Sequence, residues 1–173
     1  VLQRERHGTL LVDNERKLAM YLRGLWQDDD LLLPYSSAYD ELRKPIPYYD
    51  KLGIRLPDVY DDFVPPSPSG VGGEEDEQRR VSGLDRYRAT LAHIVGHRRW
   101  TTAIIADNMS PFQRMAAEFL EDSRVEYLAM REYPGLRHIF LALHPVPAED
   151  ACNVEQESGV RHRLAMLSRA ILD

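Results

Sequence analysis

Apolar side chains recur at the three-to-four-residue spacing of an amphipathic helix in five parts of the chain. This spacing predicts helices over 15–27, 83–100, 111–132, 136–143 and 154–173. Two helix starts carry capping signals, Ser82 with Asp85 three residues later, and Ser110-Pro111 followed by Gln113. The pattern therefore predicts an all-α protein.

The first helix has less defined limits. The apolar run TLLV at 9–12 fits either a short strand or the approach to the helix, and Asp13 or Asn14 is the expected N-cap. Three aspartates at 28–30 would oppose the helix dipole at its C-terminus, so we expect the helix to end before them. We assign residues 1–30 to an N-terminal helical segment.

Residues 31–64 break the helical pattern. Tyrosines recur at 35, 39, 48, 49 and 60, among prolines that prevent long helices. We expect an irregular extended arm rich in proline and tyrosine, lying on the helical part or on a partner. Residues 65–81 contain Pro, Ser, Gly and acidic residues and predict a flexible acidic loop. With a helical core over 82–173, the interpretation is a single irregular helical domain.

Composition narrows the class of protein. The 173 residues are 43% hydrophobic and carry a formal net charge of −6, which fits a soluble globular protein and disfavours nucleic-acid binding. The apolar runs are too short to span a membrane. The single cysteine, Cys152, cannot form an internal disulfide, and we expect a cytoplasmic protein. A chain from Val1 to Asp173 without an initial methionine is expected to be a piece of a longer protein.

Two histidines mark a candidate metal site. His93 and His97 are four residues apart and project from one side of a helix. The helix at 111–132 carries an acidic cluster of Glu118, Glu121, Asp122 and Glu126. Glu121 is our first choice of third ligand and Glu126 the second. Zinc accepts two histidines and one glutamate, with water completing the shell. The predicted metal ligands are His93, His97 and Glu121, with zinc as the possible cofactor.

The same residues have a structural interpretation. Arg114 with Glu118, and Glu121 with Arg124, are spaced for ion pairs along one helix surface. The structural interpretation has a second form, in which a buried network of arginine and carboxylates joins this helix to the helix that bears His93 and His97. The motif HIVGH resembles the H-E-x-x-H helix of zinc peptidases. Ile94 replaces the glutamate and cannot accept a proton, so we predict no catalytic residue.

Several blocks, in order, resemble one known family. They are VLQRERHGTLLVDNERKLAMYLRGLW, GIRLPDVYDDF, GLDRYRATLAHIVGHRRW, and SPFQ followed by FLEDSRVEYLAMREYPGLRHIFLALHP. Together they span nearly the whole chain and resemble the CbbO/NorD family. Its members are adaptors of MoxR-type AAA+ ATPases. CbbO works with CbbQ as a Rubisco activase, and NorD works with NorQ to activate nitric oxide reductase.

The resemblance implies a non-catalytic scaffold. Family members carry a C-terminal von Willebrand factor A domain with a metal-ion-dependent adhesion site that engages the target. These 173 residues lack that motif, so the resemblance assigns them to the helical region ahead of the domain. It implies a hexameric CbbQ- or NorQ-like ATPase as partner and Rubisco, or nitric oxide reductase as the alternative, as target.

Two other classes stay open. One is an unusual zinc hydrolase, a degenerate metallopeptidase-like enzyme that uses His93, His97 and Glu121. The other is a structural domain that only positions the rest of a longer protein. The chain has no Walker motif, since GVGG at 70–73 lacks the following Lys-Ser/Thr, so an ATPase activity would have to come from a partner.

Overall fold

A computed structural model describes residues 8–35, 46–65, 80–103, 105, 107–144 and 159–173. The fold is mixed α/β, with helices and two small sheets. The prediction of an all-α protein is therefore wrong. The described chain divides into two compact units, the first holding the residues up to Val95 and the second those from Gly96 onward.

The first unit combines strands and helices. Strand β1 (Thr9–Leu10) leads directly into helix α1 (Leu11–Tyr21), which continues as a π-helical segment (Leu22–Trp26). Strands β2 (Leu32–Tyr35), β3 (Tyr48–Asp50), β4 (Gly53–Pro57) and β5 (Val59–Tyr60) follow. Helix α2 (Gly83–Trp100) begins in this unit and is continuous across the division.

The expected arm at 31–64 supplies these strands. Strand β4 is central, pairing parallel with β2 and antiparallel with β3, while β1 pairs antiparallel with β5. A tight turn joins β3 to β4, and Gly53 has a φ of 144° there. A Cβ at Gly53 would overlap the carbonyl oxygen of Leu31, so only glycine fits. The predicted flexible loop falls mainly on residues 66–79, which lie outside the described residues.

The start of α1 differs from the prediction. Leu10, in extended conformation, occupies the N-cap position, and no side chain caps the helix there. Asn14 instead lies inside the helix and donates a hydrogen bond from Nδ2 to the Leu10 carbonyl (2.9 Å). The end is as predicted, because the helical residues stop at Trp26 and Gln27 adopts a left-handed conformation before the three aspartates.

The core of the first unit joins helix to sheet. Leu18, Leu22, Ile54, Leu56 and Leu91 are completely buried. Tyr87 of α2 is also completely buried and donates its hydroxyl to the Pro57 carbonyl (2.8 Å). Burial raises the pKa of Tyr87, so its hydroxyl stays protonated and remains a donor. The segment 31–64 therefore contributes Ile54 and Leu56 to a hydrophobic core.

The second unit is helical. It contains the end of α2, helix α3 (Pro111–Glu132), a 3-10 turn (Pro134–Leu136), helix α4 (Arg137–Leu143) and helix α5 (Gly159–Leu172). The predicted start of α3 is confirmed. Ser110 accepts a hydrogen bond from the Gln113 amide and the Gln113 side chain accepts one from the Ser110 amide, completing a capping box. The predicted Ser82 cap of α2 is also present, because Ser82 Oγ accepts from the Asp85 amide (3.1 Å).

Polar and apolar contacts hold the helices of this unit together. Ser123 of α3 and Ser168 of α5 are buried and share a hydrogen bond, and His144 Nε2 lies 2.6 Å from Ser168 Oγ. Val125 and Ala129 of α3 are completely buried. Phe112, near the start of α3, is half-exposed. None of the helices in the described part of the chain is long and apolar enough to cross a membrane.

Candidate functional site

Helix α2 places the two histidines of the predicted site. His93 and His97 lie four residues apart in this continuous helix, so both rings project from the same side, one turn apart. Both residues are partly exposed, whereas Ile94 and Val95 between them are buried. The apolar residues thus turn inward while the imidazoles remain accessible.

Gly96 explains why α3 approaches α2 so closely. This residue is buried, and a Cβ added to it would lie 2.7 Å from Val125 Cγ1. Actual Cβ atoms essentially never come that close to another heavy atom, so a larger residue would force the helices apart. The missing side chain lets Val125 pack directly on the α2 backbone. As a result, the middle of α3 lies next to the last turn of α2.

Where the two helices are adjacent, the side chain of Asp122 contacts His97. The Oδ1 atom of Asp122 lies 3.1 Å from Nε2 of His97. On the other side of the ring, Nδ1 lies 2.9 Å from Oγ1 of Thr101. Both nitrogens of the imidazole therefore face oxygen atoms.

Glu121 has different partners from those expected of a metal ligand. Its Oε1 accepts the hydroxyl proton of Thr101 (2.6 Å). Arg124 binds both of its oxygens, Nε to Oε2 at 2.7 Å and Nη2 to Oε1 at 2.6 Å. These contacts, led by the hydrogen bonds from Arg124, lower the pKa of Glu121 from 4.5 to about 2. Glu121 is therefore ionised at neutral pH.

Arg124 also ties this network to the end of α2. Its Nη2 donates to the Trp100 carbonyl (2.8 Å), one of the carbonyls that a helix C-terminus leaves without an intrahelical partner. Arg99 and Glu132 form a further ion pair between the same two helices (3.0 Å). The predicted pair of Glu121 and Arg124 is thus confirmed, within a network that is partly solvent-exposed.

Three potential metal-binding groups come together here. One ring nitrogen from each of His93 and His97 and one carboxylate oxygen of Asp122 lie within 4.8 Å of one another. Two imidazoles and one carboxylate match the donor types that zinc uses. Glu121 as a ligand stays a prediction, while Glu126, the second choice, lies one turn beyond Asp122 on α3.

A cavity of about 300 Å³ opens beside this group. Its polar lining comprises His97, Thr101, Glu121 and Asp122 together with Arg114 and Glu118. Its volume suits a small ligand or the end of one side chain. The cavity gives external molecules access to His97 and Asp122.

Sequence patterns indicated part of this arrangement. The spacing of His93 and His97 identified the first two groups. The acidic cluster contained Asp122, but we predicted Glu121 first and Glu126 second as the third ligand. Thr101 was missed, although it lies four residues after His97, the distance at which side chains meet on a helix. The glycine inside HIVGH was the signal for close helix packing, because glycine is unfavourable in a helix interior.

Comparisons with known proteins do not assign the chain to a family. No protein-family model, no curated protein and no solved structure matches it. Fold and site geometry thus define a mixed α/β protein with a constellation of two histidines and one aspartate.

Proposed function

We propose that this chain is a non-catalytic scaffold region of an adaptor of the CbbO/NorD type. In this role it holds a hexameric MoxR-type AAA+ ATPase near a target enzyme, so that ATP-driven remodelling acts on the target. The observation that carries the proposal is the ordered series of sequence blocks that resemble this family. Rubisco is the first proposed target and nitric oxide reductase the second, and the proposal places the protein in the cytoplasm.

The positions of the blocks in the fold support this proposal. The block GLDRYRATLAHIVGHRRW coincides with α2, and GIRLPDVYDDF covers β4, β5 and the residues after them. The block SPFQ contains the capping box of α3. The resemblance thus concerns the framework elements, which carry the packing and the site, and not only the connections between them.

An exposed tyrosine-bearing edge offers a contact surface for a partner. Among the described strands, β3 is an outer strand of its sheet, and Tyr48 and Tyr49 are about half-exposed. Tyrosine is enriched in protein interfaces. We propose this edge as a contact for the ATPase.

The competing function is an unusual zinc hydrolase that uses His93, His97 and Glu121. A peptidase of the H-E-x-x-H type needs a carboxylate directly after the first histidine to take a proton from the metal-bound water. Ile94 occupies that position here, is buried, and has no group that accepts a proton. The role we propose is therefore non-catalytic, even with a metal bound.

Association with the cognate ATPase tests the proposal. We expect the full chain to co-purify with the ATPase, and the double variant Tyr48→Ser/Tyr49→Ser to bind at least tenfold more weakly. Tyr127→Ser is a matched control, because Tyr127 is an exposed tyrosine that belongs to helix α3 and not to strand β3. Circular dichroism would verify that each variant is folded.

Two results would contradict the proposal. Failure of the folded wild-type chain to bind the ATPase would remove the adaptor function. Equal loss of binding in the Tyr127 control would remove the edge strand as the specific contact.

A further inference from the structure

The hydrogen bonds around His97 select one tautomer of its neutral ring. Thr101 has one hydroxyl proton, and it donates that proton to Glu121 Oε1. Arg124 holds the same carboxylate in place through both of its oxygens. Because its proton is already used, Thr101 Oγ1 can only accept from His97 Nδ1 at 2.9 Å. The proton of a neutral His97 therefore resides on Nδ1.

This tautomer leaves an unshared electron pair on Nε2. That nitrogen lies 3.1 Å from Asp122 Oδ1, and a carboxylate oxygen is also an electron-pair donor. Two such atoms at hydrogen-bonding distance repel each other unless a proton or a cation lies between them. The pair is therefore arranged to share a positively charged centre.

A metal ion fits this arrangement because a third donor lies beside the pair. His93 offers a ring nitrogen within the same 4.8 Å group, so a metal ion could use all three donors. Metal-bound histidines also commonly donate their other ring N–H to an oxygen acceptor, which fixes the tautomer and orients the ring. Thr101 provides that acceptor here.

We propose that His93, His97 and Asp122 bind a divalent transition-metal ion, zinc in the first instance. In this assignment Asp122, not Glu121, is the carboxylate ligand. Glu121 acts through Thr101 as a positioning residue that keeps Nε2 of His97 available to the metal. This inference goes beyond the adaptor role and does not depend on it.

The distances are compatible with zinc coordination. Ligand atoms around a tetrahedral zinc ion with bonds of about 2.0–2.1 Å lie roughly 3.3 Å apart. His97 and Asp122 are already at 3.1 Å, and a ring nitrogen of His93 within 4.8 Å needs a movement of about 1.5 Å at most. The cavity beside His97 and Asp122 leaves room for a water molecule or another small donor as the fourth ligand.

Zinc titration of the full chain, freed of metal with a chelator, tests this proposal. We expect calorimetry to show one equivalent of zinc bound, and His97→Ala or Asp122→Asn to weaken binding by at least 100-fold. Thr101→Val removes the hydroxyl but keeps the side-chain shape, and we expect a 10- to 100-fold loss, as for other supporting groups around metal ligands. Cobalt in place of zinc should give the visible absorption of a tetrahedral site.

Two control variants make the test specific. His138→Ala removes an exposed histidine of α4 that has no place in the site, and binding should stay unchanged. Glu121→Gln should weaken zinc binding less than Asp122→Asn does. The reverse order would make Glu121 the ligand and overturn the proposal, as would failure of the folded wild-type chain to bind zinc, or equal losses in His97→Ala and His138→Ala.

Discussion

At the scale of single residues, Glu121 shows how one helix position links two sets of contacts. Its carboxylate accepts from Arg124 on its own helix and from Thr101, which follows α2. Asp122, the next residue, is rotated by about 100° around the helix axis and meets His97 instead. Neighbouring carboxylates thus have different roles, one structural and one at the proposed metal site.

Glu121 should make folding stability depend on pH. The pKa of this residue is about 2 in the folded protein, below its ordinary value of 4.5. The resulting stability is therefore fully present above about pH 4.5 and is lost as the pH falls towards 2. We expect Glu121→Gln to lower the free energy of unfolding by about 1–2 kcal/mol at pH 7, after allowance for solvent screening. At pH 2 this difference should be close to zero.

Denaturant unfolding across this pH range, with a chelator present, measures the effect. Glu118→Gln is a suitable control, because Glu118 is an exposed carboxylate one turn earlier on α3. Its substitution should change the free energy of unfolding by less than about 0.5 kcal/mol. A deficit in Glu121→Gln that stays constant from pH 7 to pH 2 would contradict the role assigned to the ionised carboxylate.

At the scale of elements, the crossing of α2 and α3 depends on Gly96. We expect Gly96→Ala to destabilise the protein by about 1–3 kcal/mol, because the added Cβ would press on Val125. By moving α3 away from α2, it should also weaken the zinc affinity. Gly24→Ala is the matched control: nothing lies within 4 Å of an added Cβ there, and alanine should be neutral or stabilising by up to about 1 kcal/mol.

Thermal and denaturant unfolding of the two glycine variants decide this point. A Gly96→Ala protein as stable as the wild type, with unchanged zinc affinity, would show that close backbone approach is not what sets the helix spacing.

Elements that are specified by residues close together in sequence could be predicted, whereas elements that depend on pairing between distant residues could not. Helix α3 was predictable because Ser110, Pro111 and Gln113 specify its start locally. The sheet was missed because β2 pairs with β4 across an intervening segment, and strands of two to five residues show too little alternation to be recognised. Pro34 and Pro57 sit within these strands, and they led to the incorrect prediction of an irregular arm.

The candidate site was likewise predicted only where it depends on residues close together in sequence. The histidine pair follows from spacing within one helix, which the sequence displays directly. The choice between Glu121 and Asp122 depends on how α3 is rotated against α2, where Gly96 lies against Val125. That contact joins residues far apart in sequence, and composition and periodicity do not reveal it.

At the scale of the whole molecule, the protein combines an acidic composition with the proposed metal site and an exposed, tyrosine-bearing strand. Its net charge of −6 and its tyrosine-bearing edge suit contact with another protein. The proposed function requires that energy from ATP hydrolysis be supplied by the partner, because the chain has no Walker motif.

The most direct test is the rate of ATP hydrolysis by the cognate MoxR-type ATPase while the full chain is titrated into it. We expect a saturable change in rate at a defined ratio of chain to ATPase hexamer, and a weaker response with Tyr48→Ser/Tyr49→Ser. A rate that stays constant at all ratios, with the chain folded and the ATPase active, would contradict the adaptor function.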